Sequence, residues 1–154
     1  MLMLHAGYPA ALEGLRVLQE AWPGRARETR GGSIAAWTRR GIAACRRIYG
    51  PTYEKLVPAV RALHPELARN MVEQGYGRIL SRPGLTARER ELVTVATLGA
   101  MGWERQLISH LLGARRCGAG DAAIAAALEI GLAHGPASAR RRGRSAWARV
   151  RDGV

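Results

Sequence analysis

The chain has 154 residues and a mass of 16.7 kDa, enough for one well-buried core and too little for two. Apolar residues make up 47% of it with no Phe, and the recurrence of Ala and Leu favours closely packed helices over sheets. A formal charge of +12, carried by arginine apart from Lys55, invites an anionic partner, while no uninterrupted apolar run is long enough to cross a bilayer.

The first helix is expected after the turn at Pro9, where Ala11, Leu15, Leu18 and Trp22 recur at helical spacing before Pro23-Gly24 stops the run. A polar connection, Gly24–Gly32, leads to Ser33, a natural cap for a second helix with Ile34, Trp37, Ile42, Cys45 and Ile48 on its apolar side. After Pro51 a short third helix carries Tyr53, Leu56, Val57 and Val60. Pro65 opens a fourth, expected to turn Leu67, Met71, Gly75 and Ile79 inward until Ser81–Gly84 breaks it.

Thr86 followed by Glu89 is a capping box, and the helix it starts should end at Gly102. The next, from Trp103, ends near Gly118; another, opened by Asp121, closes at Gly135-Pro136. Residues 136–154 form an Arg-rich tail with little periodic apolar content, expected to lie outside a single helical domain spanning 1–135. No segment alternates as a strand would, so the fold class is an all-α bundle.

On the central helix Glu91 shares a face with Val95 and Leu98; on the following one His110 is the polar member of the line Trp103, Leu107, His110, Ala114, Cys117. A carboxylate beside an imidazole can orient it and fix its tautomer, an arrangement suited to moving protons. The competing reading gives Glu91 an arginine partner and His110 one buried hydrogen bond. Arg78 and Arg82, at a helix end and its loop, could grip a carboxylate, or simply face solvent. His5, His64 and His134 make no metal set, so no metal or other cofactor is expected. Cys45 and Cys117 have no CxxC spacing, which fits reduced thiols in a cytoplasmic protein without a signal peptide.

The stretches "GYGRILSRPGLTARERELVTVATLGAMG", "QLISHLLGARRCGAG" and "AIAAALEIG" together resemble the carboxymuconolactone decarboxylase-like family, which includes the alkylhydroperoxidase-D-like proteins. The resemblance covers about Leu63 to Gly131. It implies an all-helical, alkylhydroperoxidase-D-like bundle, a homo-oligomer with trimer or hexamer preferred, and a role in breaking down aromatic compounds. "HAGYPAALEGLRVL" is similar to the family's C-terminal segment, so residues 1–22 are read as that segment displaced to the front by circular permutation.

In the redox branch of the family a CxxCxxxH motif follows a Glu. Matched residue by residue, the two cysteines fall on Trp103 and Gln106, the histidine on His110 and the glutamate on Glu91. Both thiols are missing, which disfavours a peroxide-reducing antioxidant protein. The decarboxylase branch keeps the histidine, and Tyr76-Gly77-Arg78 replaces its usual Trp-Gly-acidic pattern, reversing a charge in the expected pocket.

The resemblance therefore implies a cofactor-free, decarboxylase-like lyase acting on a small anionic lactone or carboxylic acid. His110 would move the proton with help from Glu91, and His5 or Tyr8 would be a second donor. Arg78, Arg82, Trp103 and Gln106 would line the substrate site. The alternatives are a non-catalytic oligomeric member of the family, less readily a peroxide-reducing antioxidant protein, and more remotely a nucleic-acid binder using the tail.

Overall fold

The computed structural model describes residues 1–24 and 32–153, which form helices joined by short turns with no strand among the described residues. Of the expected polar connection Gly24–Gly32, residues 25–31 lie outside the described residues.

Helix α1 (Leu2–Ala21) starts before Pro9 rather than after it and kinks at Gly7. Its first turns lie against the central helix, and this leaves the expected apolar face mostly without a partner: Ala11 is buried, but Leu15, Leu18 and Trp22 are exposed. Helix α2 (Ile34–Tyr49) is capped by Ser33, whose Oγ accepts the Ala36 N–H at 3.2 Å, and it buries Gly41, Cys45 and Ile48. A short 3₁₀ turn, Gly50–Thr52, leads to α3 (Tyr53–Leu63) and then to α4 (Pro65–Asn70).

Helix α4 runs directly into a π-helical stretch, Met71–Leu80, and here the inward face differs from the expected one by a residue. Ala68, Val72, Tyr76 and Leu80 are buried, with Gly75 and Gly77 beside them, while Leu67 is exposed and Met71 and Ile79 sit at the flank. The cause is a very close crossing with α2. A Cβ built on Gly77 would stand 2.0 Å from the carbonyl oxygen of Trp37, and one on Gly41 would stand 2.0 Å from that of Val72. Backbones in such contact leave that face to glycine and turn its neighbour Tyr76 into the core.

Helix α5 (Ala87–Met101) begins with the complete capping box: Thr86 Oγ1 accepts the Glu89 N–H at 3.2 Å, and Glu89 Oε2 accepts the Thr86 N–H at 2.7 Å. It ends at Gly102, whose left-handed φ of 71° turns the chain back so that α6 (Glu104–Arg116) runs antiparallel along α5. Helix α7 (Asp121–Ala133) packs on α5, and Gly131 lets it approach the Ala96 carbonyl as closely as α2 approaches the π-helical stretch.

The Arg-rich tail is not a loose appendage. Ala137–Asp152 is helix α8, packed against α5, α6 and α7, with Ala139, Gly143, Ala146 and Val150 buried at helical spacing. The stripe is built from small residues, so it carries little hydrophobic signal in the sequence but allows close approach. Three of its arginines point outward and pair, Arg144 with Glu129, Arg149 with Glu104 and Arg151 with Asp152, while Arg140 donates to the Gly135 carbonyl at 2.7 Å.

Two apolar clusters result. Val95, Leu98, Leu107, Leu111, Ile124, Leu128, Leu132 and Val150 fill the space among α5–α8. Cys45, Ile48, Tyr53, Val72, Tyr76, Leu80 and Cys117 join α2, α3 and the π-helical stretch to the end of α6. Where the two meet stand Glu91, Thr94 and His110, buried polar side chains.

Candidate functional site

Glu91 lies one turn into α5 and His110 in the second half of α6, so the antiparallel turn at Gly102 brings them face to face. His110 Nδ1 is 2.8 Å from Glu91 Oε2, with His110 only 4% and Glu91 only 1% exposed. Gly113, one turn after His110, makes room for the carboxylate: a Cβ there would stand 2.6 Å from Glu91 Oε2. With Glu91 ionised the Nδ1–H donates to it, which leaves Nε2 as an acceptor.

Two tyrosines complete the row. The Tyr76 hydroxyl is 3.5 Å from His110 Nε2, at the long limit of a hydrogen bond, and the Tyr49 hydroxyl is 2.5 Å from that of Tyr76. Donation from Tyr49 to Tyr76, from Tyr76 to Nε2 and from Nδ1–H to Glu91 Oε2 runs in one direction along the row. Burial pushes Tyr49 up to about 12 and Tyr76 well above its ordinary value, which keeps both hydroxyls protonated as donors. The widened turn of the π-helical stretch delivers Tyr76, a common use of this rare geometry, and Ser81 Oγ donates to the Tyr76 carbonyl at 2.6 Å.

His5 comes in from α1. Its ring is edge-on to His110 at 6.3 Å between centroids, and its Nε2 is 3.4 Å from Thr94 Oγ1. Burial, then the neighbouring His110, then the amino terminus lower its pKa from the ordinary 6.5 to about 4. A histidine that stays neutral when folded but protonates when unfolded adds stability that is full above 6.5 and is lost as the pH falls towards 4. Denaturant titrations at pH 7, 5.5 and 4 should show this loss, and His5→Asn should flatten it. An unchanged slope in the variant would place the acid sensitivity elsewhere.

Of the other residues anticipated from sequence, Tyr8 is 69% exposed on α1 and Trp103 is 54% exposed at the start of α6, with Gln106 exposed one turn on. Arg78 lies over the Trp37 ring at 5.0 Å and donates to Gln74 Oε1 at 3.4 Å. None of these four contacts the Glu91–His110 pair. Arg82 does better: it lines a cleft of about 350 Å³ that also includes Arg40, Arg47, Leu80, Arg90 and Glu91.

Sequence reasoning missed Tyr49, Arg40 and Arg47, and placed Tyr76 in the expected pocket without giving it a role. A tyrosine between two glycines was the available signal for Tyr76; Arg40 and Arg47, two helical turns apart on α2, stand among many similar arginines. Among the described residues no three His, Cys, Asp or Glu side chains stand together as metal ligands would. Cys45 and Cys117 are free and buried, and burial raises both thiols, Cys45 to about 12.

The all-helical bundle is consistent with an alkylhydroperoxidase-D-like fold. The model of the carboxymuconolactone decarboxylase family matches residues 65–149, more than half of the chain, and the chain belongs to that family. The match begins at α4, contains the Glu91–His110 pair and runs through most of α8, beyond Gly131, where the resemblance read from the sequence ends. No curated protein matches the chain.

Proposed function

We propose that this protein is a cofactor-free lyase that removes carbon dioxide from a small anionic lactone or carboxylic acid by proton transfer. The observation that carries this is the 2.8 Å bond between two buried ionisable groups, Glu91 and His110, beside an arginine-lined cleft. The bond from the departing carboxylate to carbon would break, its electron pair moving into the conjugated lactone carbonyl as an enolate. Carbon dioxide would leave, and the protonated Glu91–His110 pair would deliver a proton to the enolate carbon. Water resupplies that proton, so no oxidant or reductant is needed. Protonated, buried thiols support this reading over peroxide reduction, which requires a thiolate.

The exposed apolar residues Leu12, Leu15 and Leu18 of α1, with Trp22 just past its end, support assembly into a closed homo-oligomer, with a trimer or hexamer preferred. A second reading, a non-catalytic family member, is favoured by the crowding of His110, since Tyr76, Tyr49 and His5 occupy the space around its ring.

The test is a panel of γ-lactone carboxylic acids, followed by ultraviolet absorbance and carbon dioxide release. At least one compound should turn over, and equally well with Cys45→Ser/Cys117→Ser. Silence across the panel, or a loss of peroxide reduction in the double variant, would overturn the proposal.

A further inference from the structure

The cleft beside Glu91 has properties that the pair alone does not explain. Arg40 and Arg47 reach it from α2, Arg82 from the loop before α5, and Arg90 from α5 itself; none of the four is in an ion pair among the described residues. Elsewhere in this chain arginines find carboxylates readily, as Arg115 does with Asp121 and Arg144 with Glu129. Arg90 is committed to structure, donating to the carbonyls of Arg82 at 2.6 Å and Pro83 at 3.2 Å, and Arg40 leans on the Gly77 carbonyl at 3.4 Å. Arg47 and Arg82 are exposed and hold no carboxylate, although Arg47 also lies within reach of the Cys117 thiol.

A second, independent feature is Glu91 Oε1. It is buried and has no hydrogen-bond partner, although Oε2 of the same carboxylate is held by His110. His110, by contrast, does not line the cleft. A buried carboxylate oxygen without a donor is costly, and such atoms are tolerated where a ligand completes them.

We infer that the cleft is the substrate site, that it takes a small dicarboxylate whose two anionic ends are held by Arg47 and Arg82, and that Glu91 Oε1 is the group meeting the carbon between them. This rests on the proton-transfer reading but reverses the roles drawn from sequence: Glu91 is the catalytic residue and His110 a positioning residue behind it. The proton that completes the enolate carbon comes from Oε1, and the resulting carboxylate is received by the Nδ1–H of His110. Crowding around the His110 ring is then no obstacle, because substrate never reaches that side.

Titration calorimetry with succinate and propionate tests the cleft without requiring turnover. Succinate should bind more tightly than propionate, and Arg47→Ala and Arg82→Ala should each weaken it roughly tenfold, the scale of one charge-assisted hydrogen bond. Arg105→Ala, which removes an exposed charge on α6, should leave it unchanged. Glu91→Gln keeps the size of the side chain but has no acidic proton to give, so succinate should bind as before while lactone-acid turnover is lost. Succinate affinity insensitive to both Arg47→Ala and Arg82→Ala would overturn the site, and lactone-acid turnover retained in Glu91→Gln would overturn the role of Oε1. Lactone-acid turnover persisting in both arginine variants would keep the proton-transfer reading and sink the cleft. Arginine-dependent succinate binding without turnover of any lactone acid would do the reverse.

Discussion

Gly41→Ala should lower the melting temperature by about 10 °C. The added methyl carbon would stand 2.0 Å from the Val72 carbonyl oxygen and 3.1 Å from the Gly77 nitrogen. Both are backbone atoms, so no rotamer change relieves the contact, and α2 must move away from the π-helical stretch along its length. Overpacking of this kind costs about 3 kcal/mol, and for a chain of this size each kcal/mol is worth roughly 2–4 °C. Gly77→Ala should behave alike, since its methyl would meet the Trp37 carbonyl oxygen at 2.0 Å. Because both substitutions open one crossing, the double variant should lose less than the sum of the singles. Calorimetry checks this: a shift below about 2 °C in either single variant would mean that the two segments can part freely.

The second large effect is expected at His110. His110→Ala should reduce turnover of a lactone acid by about a hundredfold or more, the usual consequence of disabling an acid–base pair. It should also destabilise the fold by about 1–3 kcal/mol, because Glu91, already without a partner at Oε1, would lose its only one at Oε2. The two losses separate in the variant Glu91→Leu/His110→Leu. Replacing both polar groups by apolar ones removes the orphaned carboxylate, so stability should recover towards the starting value while turnover stays lost. Full turnover in His110→Ala would remove His110 from the chemistry, and additive stability losses in the double variant would show that the two side chains are not energetically linked.

How much of this was readable without coordinates depended on what each residue contributes to a pattern. Glu91 and His110 were legible because each interrupts an otherwise apolar line on a well-delimited helix. The capping box at Thr86 was legible for the same reason, being a local rule with local partners. The inward face of residues 65–80 was misplaced by one position because an α-helical period was applied where the chain adopts a π-helix, and the crossing that decides the facing is set by α2. Helix α8 escaped notice because Ala and Gly make its buried stripe, and Tyr8 and Trp103 were chosen by correspondence with a motif whose side chains differ here. Arg47 and Arg82 meet at the cleft only through tertiary packing, about 35 residues of sequence having to fold between them.

Arg90 and Glu91 are neighbours in sequence, yet they serve opposite sides of one arrangement. Arg90 grips the carbonyls of Arg82 and Pro83, and Glu91 faces His110. The anchoring contacts are to main-chain oxygens, which every residue type supplies, so the side chains of the loop before α5 are free to vary without loosening its hold. On the proposed reading the fold would divide recognition from chemistry: α5 carries Glu91, while the loop, fastened through the backbone, presents Arg82, one of the two arginines that would hold the ligand. Loop grafting that retains the two carbonyls is therefore a natural route to altered selectivity in this scaffold, leaving the buried pair where it is.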